Sequence, residues 1–122
     1  MADAKKILII EDERPMARAL ELKLSHEGFG TQVVHNGEQG IESLEKDKFD
    51  LVICDLVMPK RDGFQVLEFM NQKEIKTPVI VLSNLSQDED RKKAISLGAK
   101  DFYIKSDTPI SKIVDHVNEL LK

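Results

Sequence analysis

The stretch LVICDLVMPKRDG, residues 51–63, places four apolar residues directly before an aspartate. A short run that is apolar at every position is typical of a parallel strand that is buried on both faces. A proline and an Asp-Gly pair follow within the same stretch and predict a turn. We therefore predict a central strand over Leu51–Cys54, whose carboxyl end presents the carboxylate of Asp55.

Apolar runs of strand length recur along the chain and alternate with segments of helical spacing. Five strands alternating with five helices predict a mostly parallel sheet with helices on both faces. Because crossover connections are right-handed, the leading architecture is a flavodoxin-like, doubly wound α/β sheet in the strand order 2-1-3-4-5. The predicted strands are Ile7–Ile10, Gln32–His35, Leu51–Cys54, Val79–Leu82 and Phe102–Ile104.

Polar residues at fixed spacings predict where four of the helices begin. Thr108 followed by Pro109 predicts a cap and a first-turn proline for the fifth helix. Pairs with the spacing of a capping box predict the starts of the second, third and fourth helices. These pairs are Asn36 with Gln39, Asp62 with Gln65, and Ser86 with Glu89.

Length and composition predict one soluble domain over residues 1–122. The chain is 41% hydrophobic and 33% charged, as is ordinary for a globular protein. Its net charge of −4 argues against direct binding of nucleic acid. The single cysteine, Cys54, lies in an apolar run and fits a reducing compartment. No segment has the pattern of a signal peptide or the length of a membrane span, so we expect a cytoplasmic protein without membrane binding.

Polar side chains follow four of the predicted strands. In the predicted order these four strands are consecutive neighbours, about 4.8 Å apart, and their carboxyl ends lie at one edge of the sheet. We therefore expect three carboxylates, a hydroxyl and an ammonium to share one cleft. They belong to Glu11 and Asp12 after strand 1, Asp55 after strand 3, Ser83 after strand 4 and Lys105 after strand 5.

This combination of groups predicts phosphoryl chemistry that depends on a metal. Three carboxylates at close range repel one another unless a cation neutralises them, and Mg²⁺ prefers oxygen ligands of this kind. Asp55 then combines the roles of metal ligand and nucleophile toward phosphorus. Lys105 and Ser83 supply a positive charge and a hydroxyl donor for phosphoryl oxygens.

These segments together resemble the receiver (REC) domain of the two-component response regulators, in its chemotaxis-Y-like single-domain form. The resemblance covers essentially the whole chain. The sequence leaves open whether the chain acts alone or is the receiver portion of a longer regulator. The matching segments are ILIIEDE, LVICDLVMPKRDG, VIVLS and GAKDFYIKS.

The resemblance implies the phosphoacceptor and the metal ligands. Asp55 would accept a phosphoryl group from the phosphohistidine of a sensor histidine kinase or phosphotransfer protein, or from acetyl phosphate. Asp12 and Asp55 would bind Mg²⁺ directly, and Glu11 would bind it through water. The backbone carbonyl of Val57 would complete the protein ligands.

The resemblance also implies a switch. Lys105 and Ser83 would bind phosphoryl oxygens, and Phe102 would move into the space that Ser83 leaves, with Tyr103 as the competing aromatic. Phosphorylation adds roughly −1.5 to −2 charges. This charge would change the face formed by helix 4, strand 5 and helix 5, which would control a downstream protein, an output domain or a homodimer.

The chain departs from the commonest pattern of this family at three places. Lys105 is followed by Ser106 where a proline is usual, so the resemblance predicts no conformation for the bond between them. Asn84 follows Ser83 where a small alanine is common, and Phe102 stands where Tyr is frequent.

Other classes of protein on the same topology fit the sequence less well. A flavodoxin would need a phosphate-binding loop rich in Ser, Thr or Gly after strand 1, where this chain has Glu-Asp-Glu. A metal-dependent phosphatase would place a second acid close to Asp55, but the next residues are Leu56 and Val57. The complete acceptor set argues against a receiver that no longer takes phosphate. We therefore predict a molecular switch and not an enzyme.

Overall fold

The computed structural model describes residues 4–85 and 87–122, which form one parallel sheet with helices on both faces. The strands are β1 (Lys6–Ile10), β2 (Gly30–Val34), β3 (Leu51–Cys54), β4 (Val79–Ser83) and β5 (Asp101–Ile104). The helices are α1 (Arg14–His26), α2 (Gly37–Lys46), α3 (Gly63–Gln72), α4 (Asp88–Ser96) and α5 (Ile110–Leu121), and a 3₁₀ turn covers Lys105–Asp107.

The strands follow one another across the sheet in the order β2-β1-β3-β4-β5, and all four neighbouring pairs are parallel. The predicted flavodoxin-like α/β architecture is therefore confirmed. Within residues 4–85 and 87–122, no helix combines the length and the apolar character that a membrane span requires.

The core consists of two layers, one on each face of the sheet. Leu8 and Ile10 of β1 pack into the layer under α2, α3 and α4, whereas Ile7 and Ile9 pack into the layer under α1 and α5. Successive side chains of a strand point to opposite faces, so a strand covered on both faces needs an apolar residue at every position. This requirement explains the continuous apolar runs.

The edge strand β2 begins two residues earlier than predicted and ends one residue earlier. Its first residues are Gly30 and Thr31, which carry no apolar signal, and all five of its residues are only half-buried. Pairing of the backbone decides the start of β2 instead: Gly30 lies opposite Lys6, and its N–H donates to the Lys5 carbonyl at 2.8 Å.

The predicted caps of α2 and α3 are present in different degrees. Asp62 accepts from the Gln65 N–H while Gln65 accepts from the Asp62 N–H, which completes the capping box of α3. At α2, Asn36 accepts from the Gln39 N–H, but the Gln39 side chain accepts from His35 instead of Asn36. In this second box the Gln39 side chain therefore accepts from the N–H of the residue before the cap, and not from the N–H of the cap itself.

The start of α5 differs from its predicted cap. Helix α5 begins at Ile110, and Pro109 is its N-cap, with ψ at 146°. The prediction of a Thr108 cap with Pro109 in the first turn was therefore wrong, because this extended ψ keeps the proline outside the helix. Ser86, the predicted cap of α4, lies outside the described residues.

A close backbone approach holds the start of α3 against the end of β3. The Gly63 N–H donates to the Leu56 carbonyl at 3.0 Å. A Cβ atom at Gly63 would lie 2.2 Å from the Asp55 carbonyl oxygen and 2.8 Å from Leu56 Cα. Only glycine fits this contact, which supports the backbone of Asp55 from behind.

Candidate functional site

The central strands β1 and β3 bring two of the predicted site residues side by side. Ile10 pairs with Cys54, so Glu11 and Asp55 follow at adjacent strand ends. The Asp55 N–H donates to the Ile10 carbonyl oxygen at 3.0 Å, which extends the ladder past the last strand residue. Glu11 is 2% exposed and Asp55 is 5% exposed. Two acidic side chains are thus buried together at the centre of this edge.

Lys105 reaches the acidic side chains from the end of β5. Its Nζ donates to Glu11 Oε2 at 2.8 Å and to Asp55 Oδ2 at 2.9 Å. A third hydrogen bond from Nζ reaches Glu13 Oε1 at 2.6 Å. The Lys105 side chain is 4% exposed, so these carboxylates replace the water that would otherwise solvate its charge.

The turn after β3 orients the carboxylate of Asp55. Its Oδ1 accepts from the backbone N–H of Leu56 at 2.7 Å and lies 3.3 Å from the N–H of Val57. Its Oδ2 accepts from Lys105. Each carboxylate oxygen of Asp55 therefore has its own set of donors, which limits rotation of the side chain.

Burial and hydrogen bonding shift the pKa values of Glu11 and Lys105. Burial raises the pKa of Glu11 to about 7, although hydrogen bonds from Lys105 and from the Glu13 N–H act in the opposite direction. Burial alone would lower the pKa of Lys105, but its hydrogen bonds to the three carboxylates outweigh burial and raise that pKa. Lys105 is therefore charged at neutral pH, while a proton on Glu11 competes with a cation in the same range.

Three acidic residues at this edge have the geometry of a cation site. One carboxylate oxygen from each of Glu11, Asp12 and Asp55 lies within 4.8 Å of the other two. The donors are all hard oxygen atoms, two of the three residues are buried, and Asp12 is half-buried. A small divalent cation such as Mg²⁺ fits a donor set of this kind.

A pocket of about 320 Å³ opens over these groups. Ser83 is fully buried beneath it, and the Ser83 Oγ accepts from the Leu85 N–H at 3.2 Å. Val57, in contrast, is 58% exposed at the pocket. The predicted site residues that line the pocket are Asp12, Asp55, Val57, Ser83 and Lys105.

Two of the predicted site residues, Glu11 and Phe102, do not line the pocket. Glu11 still contacts Lys105, whereas Phe102 lies away from the site. It is buried in the core layer under α2, α3 and α4, opposite Val81 of β4. Tyr103 points to the other face of the sheet, where its hydroxyl is hydrogen-bonded to His116 of α5. The alternation along β5 therefore separates the two candidate aromatics into different layers.

Sequence reasoning missed the part played by Glu13. Three acidic residues, Glu-Asp-Glu, follow β1 in the sequence, and the prediction of the metal site includes only the first two, Glu11 and Asp12. The third member, Glu13, forms the shortest of the three contacts to Lys105 although its side chain is 56% exposed. Three adjacent acidic residues after a strand are the signal that could have pointed to it.

A second missed contact joins two of the unusual residues. Asn84 Oδ1 accepts from the Ser106 N–H at 3.2 Å. A proline at position 106 would have no N–H, and an alanine at position 84 would have no acceptor, so the two departures form one interaction. The peptide bond between Lys105 and Ser106 is trans.

Comparison with curated proteins gives relatives that regulate transcription. The transcriptional regulatory protein DltR of Streptococcus agalactiae serotype III (strain NEM316) is 33% identical over 100 residues, which cover 82% of this chain and 45% of DltR. The transcriptional regulatory protein PcoR of Escherichia coli is 32% identical over 118 residues, which cover 97% of this chain and 52% of PcoR. The chain spans about half the length of these relatives.

Comparison with solved structures gives close matches over almost the full length. The signal receiver domain of a signal transduction histidine kinase from Syntrophus aciditrophicus has a TM-score of 0.86 at 33% identity, covering 97% of this chain and 90% of that one. The receiver domain of the Francisella response regulator 1452 has a TM-score of 0.89 at 28% identity, covering 95% of each chain. The family model of the response regulator receiver domain matches residues 7–118. The chain therefore belongs to the response regulator receiver domains, the phosphorylation-activated switches of two-component signalling.

Proposed function

We propose that this chain is a magnesium-dependent switch in which Asp55 is the phosphoacceptor. The donor would be the phosphohistidine of a sensor histidine kinase or of a phosphotransfer protein, or a small molecule such as acetyl phosphate. One observation carries the proposal: Asp55 Oδ2 lies 2.9 Å from the ammonium of Lys105, within a cluster of carboxylates whose oxygens lie within 4.8 Å of one another. A nucleophile, a positive charge and a cation-binding group thus meet in one pocket.

The donor set supports Mg²⁺ as the cofactor, as does the acidic pocket that receiver domains generally use to bind this ion. Asp12 and Asp55 would bind it through carboxylate oxygens, Val57 through its backbone carbonyl and Glu11 through a water molecule. Bound Mg²⁺ would offset the negative charge that the carboxylates and the phosphoryl oxygens bring together.

The side chains have separate roles in the transfer. A carboxylate oxygen of Asp55 forms a bond to phosphorus while the bond from phosphorus to the donor imidazole breaks, and the electron pair leaves with the imidazole nitrogen. Lys105 would donate to one phosphoryl oxygen and Ser83 to another. The Ser83 hydroxyl keeps its hydrogen for this purpose, because its oxygen is the acceptor in the contact with Leu85.

The phosphoryl group would control a partner through the face formed by α4, β5 and α5. Movement of Ser83 toward the phosphoryl group and of Phe102 behind it would carry the change to this face. DltR and PcoR are transcriptional regulators of about twice this length, which supports an output domain or a separate downstream protein as the target. The net charge of −4 supports an output through protein contacts, including a homodimer, and not through nucleic acid bound by these residues. In this proposal the chain is a cytoplasmic switch and not an enzyme.

Intact-mass spectrometry after incubation with acetyl phosphate, with and without Mg²⁺, tests the proposal. We expect one phosphoryl adduct that requires Mg²⁺ and is absent from Asp55→Asn. Asp115→Asn is the matched control, because it makes the same chemical change at an exposed position on α5 and should leave the adduct intact. An adduct that persists in Asp55→Asn would overturn the assignment. The assignment would also be overturned if the wild-type chain formed no adduct and bound no beryllofluoride.

A further inference from the structure

Three of the residues that line the pocket at Asp55 have side chains that can donate a hydrogen bond. Lys105 and Ser83 already have partners in the proposed transfer, and the third is Asn84. The other residues that line the pocket carry carboxylates, which only accept, or apolar side chains. They are Asp12, Glu13, Asp55, Val57 and Leu85. Asn84 is therefore a donor in the pocket to which the transfer assigns no role.

A contact with the backbone fixes the orientation of the Asn84 amide. The Ser106 N–H donates to Asn84 Oδ1 at 3.2 Å. The amide nitrogen could not take the place of this oxygen, because an NH₂ group has no acceptor to offer an N–H. Nδ2 is bonded to the same carbon as Oδ1, so it cannot turn away from its position unless the contact with Ser106 breaks.

The two N–H donors of Asn84 Nδ2 are available to a ligand. Among residues 4–85 and 87–122, none accepts a hydrogen bond from Nδ2. Asn84 is exposed, so these donors bind water in the unphosphorylated chain. A phosphoryl group brings roughly −1.5 to −2 charges and strong acceptor oxygens into the pocket. Hydrogen bonds to a charged oxygen are stronger than those between neutral groups, which favours exchange of this water for the phosphoryl group.

We propose that Asn84 is a further ligand of the phosphoryl group on Asp55: its Nδ2 donates to a phosphoryl oxygen while its Oδ1 stays bound to Ser106. This inference rests on the proposed function of Asp55. The Ser106 N–H orients the amide, and the amide adds a neutral donor to the ammonium of Lys105 and the hydroxyl of Ser83. An alanine at position 84, which is common in the family, would offer no such side-chain donor.

Binding of beryllofluoride in saturating Mg²⁺, measured by calorimetry, tests this contact. Asn84→Ala removes both the donor and the acceptor of the amide, whereas Asn84→Asp removes the donor and keeps an acceptor for the Ser106 N–H. We expect both variants to bind about three- to tenfold more weakly than the wild type, the usual contribution of one hydrogen bond. Gln87→Ala removes an exposed amide at the start of α4, outside the pocket, and should bind as the wild type does.

The two variants of Asn84 together separate the donor from the link to Ser106. The comparison is repeated at about 0.5 M salt, which screens the charge that Asn84→Asp adds. Weaker binding by Asn84→Ala but wild-type affinity in Asn84→Asp would show that only the link to Ser106 matters, and would overturn the inference. Wild-type affinity in Asn84→Ala, with binding lost in Asp55→Asn, would also overturn it and leave the proposed function standing. Failure of the wild type itself to bind beryllofluoride would remove both.

NMR of the side-chain amide gives a direct readout of the same contact. The two Nδ2 proton resonances of Asn84 are identified by their absence from the spectrum of Asn84→Ala. We expect both to shift when the wild type binds beryllofluoride. Unchanged resonances in a chain that binds beryllofluoride would contradict the contact.

Discussion

Lys105 places a positive charge where its side chain is only 4% exposed, and three carboxylates surround that charge. The carboxylates depend on the lysine in the same way. Glu11 and Asp55 are as buried as the lysine, so their negative charges depend on Lys105 for compensation. A single side chain thus links the stability of the pocket to its chemistry.

Replacing Lys105 by Met should destabilise the chain in the absence of a metal. Met keeps the length of the side chain but leaves two buried carboxylates unpaired, and we expect a loss of about 3 kcal/mol in the free energy of unfolding. Mg²⁺ should stabilise this variant more than the wild type, because it would offset the same charges. Urea unfolding with and without Mg²⁺ measures both effects.

Lys100→Met is the control for the lysine variant, since Lys100 is exposed and should tolerate the change within about 0.5 kcal/mol. If Lys105→Met unfolds at the same urea concentration as the wild type without metal, the buried carboxylates do not need the lysine charge.

Between secondary-structure elements, one hydrogen bond ties the loop after β4 to the turn after β5. It runs from the Ser106 N–H to Asn84 Oδ1, and each of its residues directly follows a predicted phosphoryl-binding residue. Ser83 precedes Asn84, and Lys105 precedes Ser106. The contact therefore restrains the two loops that would have to adjust when a phosphoryl group binds.

A double-mutant cycle measures this connection. Asn84→Ala should lower the free energy of unfolding by about 1 kcal/mol in the wild type, the usual contribution of one hydrogen bond. In a Ser106→Pro background the same change should cost almost nothing, because the donor is already absent. Ser106→Ala keeps the N–H and should leave the cost of Asn84→Ala unchanged. Equal costs in all three backgrounds would show that the contact contributes nothing to stability.

Across the whole fold, Tyr103 and His116 join the sheet to α5. Their side chains are hydrogen-bonded to each other, and His116 Nε2 lies 3.1 Å from Asp101 Oδ2. Burial raises the pKa of Tyr103, and the charges of Asp101 and Glu119 act in the same direction. The chain has one tyrosine and no tryptophan, so the absorbance of tyrosinate in this chain comes from Tyr103 alone.

The raised pKa of Tyr103 predicts a loss of stability at alkaline pH. The unfolded chain releases the phenol proton first, with a pKa of about 10. The contribution of Tyr103 is therefore fully present below that pH and is lost as the pH rises through the higher pKa of the folded chain. Tyrosinate absorbance should have a higher midpoint in the folded chain than in denaturant. Equal midpoints would contradict the prediction, and Tyr103→Phe, which lacks the group, should lose this part of the pH dependence.

The sequence predicted the architecture because its signals are local. The apolar runs Ile7–Ile10, Leu51–Cys54 and Val79–Leu82 of β1, β3 and β4 are a consequence of burial on both faces, and β3 has the bounds that were expected. The sequence also predicted that Glu11, Asp55 and Lys105 lie close together, because the carboxyl ends of parallel strands lie at one edge of the sheet. The start of β2 and the N-cap of α5 could not be predicted in the same way, because pairing of the backbone and the ψ angle of Pro109 decide them.

The contacts of exposed side chains were decided only by the folded chain. Glu13 and Lys105 are 92 positions apart, and Asn84 and Ser106 are 22 apart, so no local pattern relates either pair. Burial of apolar residues depends on a periodicity that the sequence carries within a few residues. The partner of a long or polar side chain depends on which groups the completed sheet brings within hydrogen-bonding distance, and that distance exists only in the tertiary structure.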